Sequence, residues 1–174
     1  MKKIISILAV LVLIVVVANL FLSQKKQAPV VSPSYKNISY QIDGRNVTLK
    51  DGIAVEDVAP GSAEKLTTRY FGNAATGDLN ADGKPDTAFL LSQDGGGSGT
   101  MYYVVAALNT GTGYVGTSAV FLGDRIAPQT TEIKDGVLIV NYADRAPGEP
   151  MTTKPSIGVS KYLKVVGTDL VNAK

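Results

Sequence analysis

The chain has no cysteine, no histidine and no tryptophan among its 174 residues. Without cysteine there is no disulfide framework, no thiolate nucleophile and no lipid-modified N-terminal cysteine. Without cysteine or histidine there is no Cys/His zinc site, and every catalytic triad that turns on an imidazole is excluded. Charge is scarce as well: Asp, Glu, Lys and Arg make up 18% of the residues, against about 25% in an ordinary soluble domain. A chain of this length builds one domain with an appendage, not two independent cores.

One apolar block accounts for part of the shortage. Residues 4–22 are interrupted only by Ser6 and Asn19, with Lys2 and Lys3 before them and Lys25 and Lys26 after them. As a helix this run spans about 28 Å, close to the hydrocarbon thickness of roughly 30 Å. A cleaved secretory signal has a shorter apolar region and a small-residue cleavage site. Here Val16-Val17-Ala18 leads into Asn19-Leu20-Phe21, which is a poor one. Residues 1–23 therefore read as an uncleaved signal-anchor transmembrane helix. Residues 24–36, with Pro29 and Pro33 and no periodicity, read as an extended linker. Residues 37–174 read as the folded domain. The lysines flanking the block are almost balanced, so orientation rests on the short N-terminal tail, which resembles a secretory start. That start places the domain on the extracytoplasmic side of the cell membrane.

Setting aside the four lysines that flank the block leaves 13 basic residues against 15 acidic ones, so the folded part is slightly acidic although the whole chain carries +2. No segment after Lys26 clusters basic residues. Nucleic acid is therefore excluded as an expected partner.

From Asn37 onward, short β-branched and aromatic runs alternate with Gly, Asp and Asn, the pattern of a mainly β domain. The expected fold is an antiparallel sheet or a small sandwich or barrel-like domain. Asp43-Gly44 and Asp135-Gly136 supply two-residue hairpin turns, and Asp51-Gly52 opens a further segment. Strands are expected at 87–91, 101–108, 114–122 and 156–166. The run at 101–108 is apolar almost throughout and reads as a central strand covered on both faces. Residues 63–69 are the only plausible soluble helix, capped by Ser62, unless β-branched Thr67 and Thr68 carry them directly into a strand.

One segment carries chemistry. Asp78, Asn80 and Asp82 alternate ahead of Gly83, and Lys84-Pro85-Asp86 follows. Ca²⁺ takes about six to eight oxygen ligands, and side chains at alternate positions of a curled loop converge on one point. The expected donors are Asp78, Asn80, Asp82, the Lys84 carbonyl and Asp86, holding a structural Ca²⁺. This is no complete EF-hand: the twelfth position is Phe89 instead of a bidentate Glu, and a strand pattern follows instead of a helix. The sequence Gly-Asp-Leu-Asn-Ala-Asp-Gly-Lys-Pro-Asp before an apolar strand, with Phe71-Gly72 upstream, resembles the calcium loop of FG-GAP (integrin-α-type) repeats. That resemblance implies that Asp86 completes the site. It covers only residues 71–91, and a single copy cannot build a propeller of about four to eight blades. The remainder, notably GDRIAPQTTEI and NYADRAPGEPMTT, resembles uncharacterised membrane-anchored bacterial proteins.

Those two stretches also resemble each other: Asp124-Arg125-Ile126-Ala127-Pro128 echoes Asp144-Arg145-Ala146-Pro147. Similar loops at equivalent strand ends, each tied down by its own Asp-Arg pair, explain the echo, and a shared ligand site is the sharper alternative. Glu132, Glu149, Asp124 and Asp144 are the carboxylates available for a glycosidase pair. Ser160-Lys161 is no dyad, because neighbours on a strand point to opposite faces. The glycine-rich segment 93–100 lacks the Lys-Ser or Lys-Thr of a phosphate loop and reads as a hairpin tip. Tyr102, Tyr103, Tyr114, Tyr142 and Tyr162 are expected in the core or half-buried, with a polysaccharide-binding ladder as the alternative. The resulting expectation is a non-enzymatic, calcium-binding interaction module of the cell envelope. It would meet an envelope protein or glycan through loops 124–131 and 144–155 and the glycine hairpin. The alternatives are a carboxylate-based hydrolase of cell-wall material and an inhibitor of a secreted hydrolase.

Overall fold

The computed structural model describes residues 34–173, apart from residue 60. The apolar run expected to anchor the chain lies outside them, as does the linker up to residue 33. Among the described residues no helix is long and apolar enough to cross a membrane.

A short 3₁₀ turn, Tyr35–Asn37, leads into strands β1 Ser39–Ile42, β2 Arg45–Thr48, β3 Ile53–Asp57, β4 Lys65–Gly77, β5 Asp86–Asp94 and β6 Met101–Asn109. They are followed by β7 Tyr114–Gly116, β8 Val120–Asp124, β9 Ala127–Lys134, β10 Val137–Asp144, β11 Ile157–Val166 and β12 Asp169–Asn172. The central sheet runs β3-β4-β5-β6-β7, and β8 continues along the other half of β6. A second sheet runs β12-β11-β10-β9, and β1-β2 forms a separate hairpin. All the strand pairings are antiparallel.

The three sheets stack as three layers with the long central sheet in the middle. One face of β5 and β6 buries Ala88, Leu90, Val104 and Ala106 against Leu138, Val140, Tyr142 and Leu163 of the second sheet. The opposite face buries Phe89, Leu91, Tyr103, Val105 and Ala107 against Ile38, Tyr40, Ile42, Val47 and Leu49 of the hairpin layer. Alternate residues of one strand thus serve two cores, which explains why 101–108 reads as apolar on both faces. Tyr35 packs on the second core, its ring 5.3 Å from that of Phe89 and 5.9 Å from that of Tyr114.

The Asp-Gly turns behave as their chemistry demands. Asp43-Gly44 and Asp135-Gly136 have φ of 49° and 75°, and 51° and 72°, the left-handed pair that matches strand twist in a two-residue hairpin. Residues 63–69 form no helix. Ser62 accepts the Glu64 N–H (3.0 Å) in a local turn, and Lys65 begins a 13-residue strand. The stretch 114–122 is not one strand but β7 and β8. A Cβ on Gly116 would run into the Ser39 carbonyl oxygen, and Gln41 pairs there in parallel with Ser118. The approach of β1 breaks the strand, and buried Thr117 satisfies Ala106 N–H through its hydroxyl (2.9 Å).

The tyrosines divide. Tyr103 and Tyr142 are buried in opposite cores, so no continuous ladder forms. Tyr162 stands 52% exposed on the outer face of the second sheet, contrary to the expectation that it is at least half-buried. Burial, with nearby Tyr35 adding to it, raises the pKa of Tyr40 far above the ordinary value. Burial also raises Tyr103, whose hydroxyl donates to Asp43 (2.7 Å). Both rings stay neutral in the fold but ionise in the unfolded chain near pH 10, so the unfolded state loses protons first and stability falls as pH rises above about 10. Absorbance titration of phenolate should leave both unionised until unfolding, and Tyr103→Phe should flatten the alkaline loss. Normal titration of every tyrosine in the folded state would contradict this.

Candidate functional site

Two regions hold the residues singled out above, at opposite ends of β5 and β6. The lower end carries loop 78–85, between β4 and β5. Ala81 and Gly83 adopt φ of 60° and 81°, and these left-handed steps curl the chain. Asp78 then accepts N–H groups from Asp82 (3.2 Å) and Gly83 (2.8 Å), and Asn80 accepts the same Asp82 N–H (3.1 Å). The side chains of Asp78 and Asn80 are therefore brought together inside the curl. Asp82 accepts the Lys84 N–H at 2.9 Å, and its other oxygen faces the Lys84 ammonium at 3.1 Å. Those two interactions, the backbone donor first, hold the Asp82 carboxyl below the usual range.

Asp86 is placed differently. It is fully buried beneath the loop, where its two oxygens accept the N–H groups of Leu79 (2.9 Å) and Asn109 (2.8 Å). Asn109 in turn donates its side-chain amide to the Pro85 carbonyl (3.2 Å). Burial pushes the Asp86 carboxyl above its usual pKa, against the pull of both donors, and the nearby charges of Asp82 and Asp78 add to the push. Asp86 is thus the peg that joins the loop to the end of β6. Among the described residues no three His, Cys, Asp or Glu side chains gather as a metal cluster. The expected donors are all hard oxygens, the kind Ca²⁺ takes. Of these, however, the structure brings together only the side chains of Asp78 and Asn80, at the Asp82 N–H, while Asp86 turns both oxygens to backbone donors.

The upper end gathers three loops. Thr100, closing the glycine hairpin, donates its N–H to Asp124 (2.8 Å), and its carbonyl accepts the Arg125 N–H (2.8 Å). Asp124 and Arg125 form their own ion pair at 3.1 Å. Arg145 does not merely tie down its own loop. It donates to the Thr153 carbonyl (2.6 Å) and also crosses to the carbonyls of Asp124 (3.3 Å) and Arg125 (3.1 Å). Loops 95–100, 124–126 and 145–155 are thereby lashed into one surface. Arg125 takes a left-handed φ of 49°, a strained conformation for a bulky residue.

Of the proposed catalytic carboxylates, Asp124, Asp144 and Glu149 each accept a backbone N–H within these loops, from Thr100, Arg145 and Ala146 respectively. Glu132 stands apart, exposed on β9 opposite Ile139. Ser160 and Lys161 point to opposite faces: Ser160 donates to Asn141 (2.6 Å) and Lys161 to the Phe121 carbonyl (3.3 Å). Sequence reasoning missed an aromatic pair beside the upper loops. Phe71, 44% exposed, meets Tyr102 edge-on at 5.1 Å, and Tyr102 packs at the margin of the core between the central and second sheets. Tyr70 packs on the opposite core, so alternation along the strand puts Phe71 on this face, where a register shift between Tyr70 and Gly72 leaves it without a partner on β5.

No protein-family model matches the chain, and neither the curated proteins nor the solved structures yield a match.

Proposed function

We propose that the chain is a membrane-anchored, extracytoplasmic interaction module, with an FG-GAP-like loop holding a structural Ca²⁺ at the lower end and the partner surface at the upper end. The observation that carries this reading is the convergence of the glycine hairpin with loops 124–126 and 145–155 through Arg145. Interaction surfaces are commonly built from loops that a rigid sheet holds in place. Exposed Phe71 and Met151 supply the apolar and aromatic contacts on which interfaces concentrate their energy. Membrane attachment rests on the apolar run at 4–22. Bound Ca²⁺ would supply positive charge to Asp78, Asn80, Asp82 and Asp86 and stiffen the turn ahead of the central strand β5.

The partner is an envelope protein or glycan. Photo-crosslinking residues placed at Phe71 and Met151 in native membranes should capture one common species. The same residue at Tyr162 or Val166, on the outer face of the second sheet, should capture none of it. Arg145→Ala, which frees the loops from one another, should reduce capture at least about fivefold, a loss of about 1 kcal/mol. Protease or glycosidase treatment then identifies the captured class. Equal capture from both faces would overturn the assignment of the upper end.

A further inference from the structure

β3 is the outer strand of the central sheet. Tyr70 donates its N–H to the Gly52 carbonyl (2.7 Å), and Val58 donates to the Glu64 carbonyl (3.1 Å). Bonded and non-bonded positions alternate along an antiparallel ladder, so Ile53, Val55 and Asp57 turn their N–H and carbonyl groups away from β4. Lys50 takes both groups of Ile53. The four groups of Val55 and Asp57 have no partner among the described residues. The side chains beside them are apolar and open to solvent, Ile53 at 48% and Val55 at 60%. Other edges of the molecule are met or polar. Ser118 meets β12 through the Leu170 N–H (3.0 Å) and the Thr168 carbonyl (2.9 Å). Asn73 caps β9 at the Gln129 carbonyl (3.1 Å), and β2 presents Arg45, Asn46 and Thr48, all exposed. An open edge such as β3 accepts a further strand through its main-chain groups, and the side chains along it set which strand fits.

Charge along this edge selects among strands. Glu56 is opposite Leu66 in the ladder, which places Glu64 diagonal to it. Neither Glu56 nor Glu64 forms an ion pair among the described residues, and Lys65 is committed to Asp57. One face of the edge therefore carries uncompensated negative charge at Glu56, and the other carries Ile53 and Val55. A second copy of the chain is a poor occupant. The register that joins Val55 to Asp57 uses all four free groups but sets the two copies of Glu56 directly opposite, where like charges repel. Other registers use Val55 alone or oppose Asp57 to itself.

We infer that β3 takes up an extended segment of another protein in which apolar residues alternate with lysine or arginine. Its apolar side chains lie beside Val55 and its basic ones beside Glu56, on opposite faces of the lengthened sheet. None of these groups belongs to the loops lashed by Arg145, so the filling of this edge is independent of what those loops bind.

Site-resolved amide exchange of the full chain in phosphatidylcholine nanodiscs tests it, with two capped peptides as probes, one alternating valine with lysine and one alternating valine with glutamate. The saturating lysine peptide should slow exchange of the Val55 and Asp57 amides at least about tenfold. It should bind at least about threefold more tightly than the glutamate peptide, as an opposite-charge pair across a ladder requires. Val55→Pro removes an outward N–H, leaves the ladder to β4 intact and should abolish the protection of Asp57. Glu56→Lys should reverse the preference between the two peptides. Both amides already protected without peptide would show the edge filled by this chain or by a second copy. That result, no change at either amide, protection of Asp57 that survives Val55→Pro, or equal binding of the two peptides would each overturn the assignment.

Discussion

Asp86→Ala should lower the thermal midpoint of the domain by about 10 °C in buffer free of divalent ions. The carboxylate is fully buried and accepts two backbone N–H groups, from Leu79 and Asn109. Hydrogen bonds to a charged group contribute about 1.5–3 kcal/mol each, and truncation strands both donors without water. Opposing this is relief of the burial that pushes the Asp86 carboxyl upward. The net loss is about 3 kcal/mol, which for a domain of this size corresponds to a shift of about 10 °C. Asp86→Asn keeps one acceptor oxygen and should lose about half as much. The sign with pH follows from the raised carboxyl. The folded state holds its proton to higher pH than the unfolded chain, so this group's contribution declines as pH rises from about 3.8 to its folded value and is constant above that. Chemical unfolding of wild type and Asp86→Asn across that range isolates the term. A midpoint change under 2 °C for Asp86→Ala would show that the loop does not hang on this peg.

The readable parts of the fold were those decided locally. Left-handed backbone at Asp43-Gly44 and Asp135-Gly136 is a property of those residue types, so both hairpins could be placed from residue order alone. The two-sided burial of β6 followed from an uninterrupted apolar run. The unreadable parts depend on distant partners. β7 and β8 look continuous until Ser39 comes against Gly116. β12, Asp169–Asn172, is too short to carry a pattern, and its edge is set by Ser118.

The candidate sites divide in the same way. The alternation of Asp78, Asn80 and Asp82 is legible because neighbouring residues curl the loop. Asp86 looks like one more donor in that series, yet its geometry is fixed by Asn109, from the next strand. The Asp-Arg echo marks two loops that meet in the fold. That Arg145 crosses to the carbonyls of Asp124 and Arg125 follows only from the placement of β8 beside β10's end, which the order of residues does not disclose.

Calcium binding at the lower loop has the other large expected effect. Extracellular oxygen-ligand sites bind Ca²⁺ with dissociation constants of about 10⁻⁴–10⁻³ M. A ligand that binds only the folded state at 10 mM then adds about 1.5–3 kcal/mol, or roughly 5–10 °C in the midpoint. Lys84 already sets its ammonium 3.1 Å from Asp82, which places the expected affinity at the weak end of that range. Mg²⁺, which demands six close ligands and dehydrates reluctantly, should give a smaller shift. The most direct measurement is a melting curve of the protein with 10 mM CaCl₂ against the same ionic strength of NaCl, for wild type and for Asp82→Ala. A Ca²⁺-held loop requires a rise of at least 5 °C in the wild type that vanishes in Asp82→Ala; coincident wild-type curves in the two salts would contradict it.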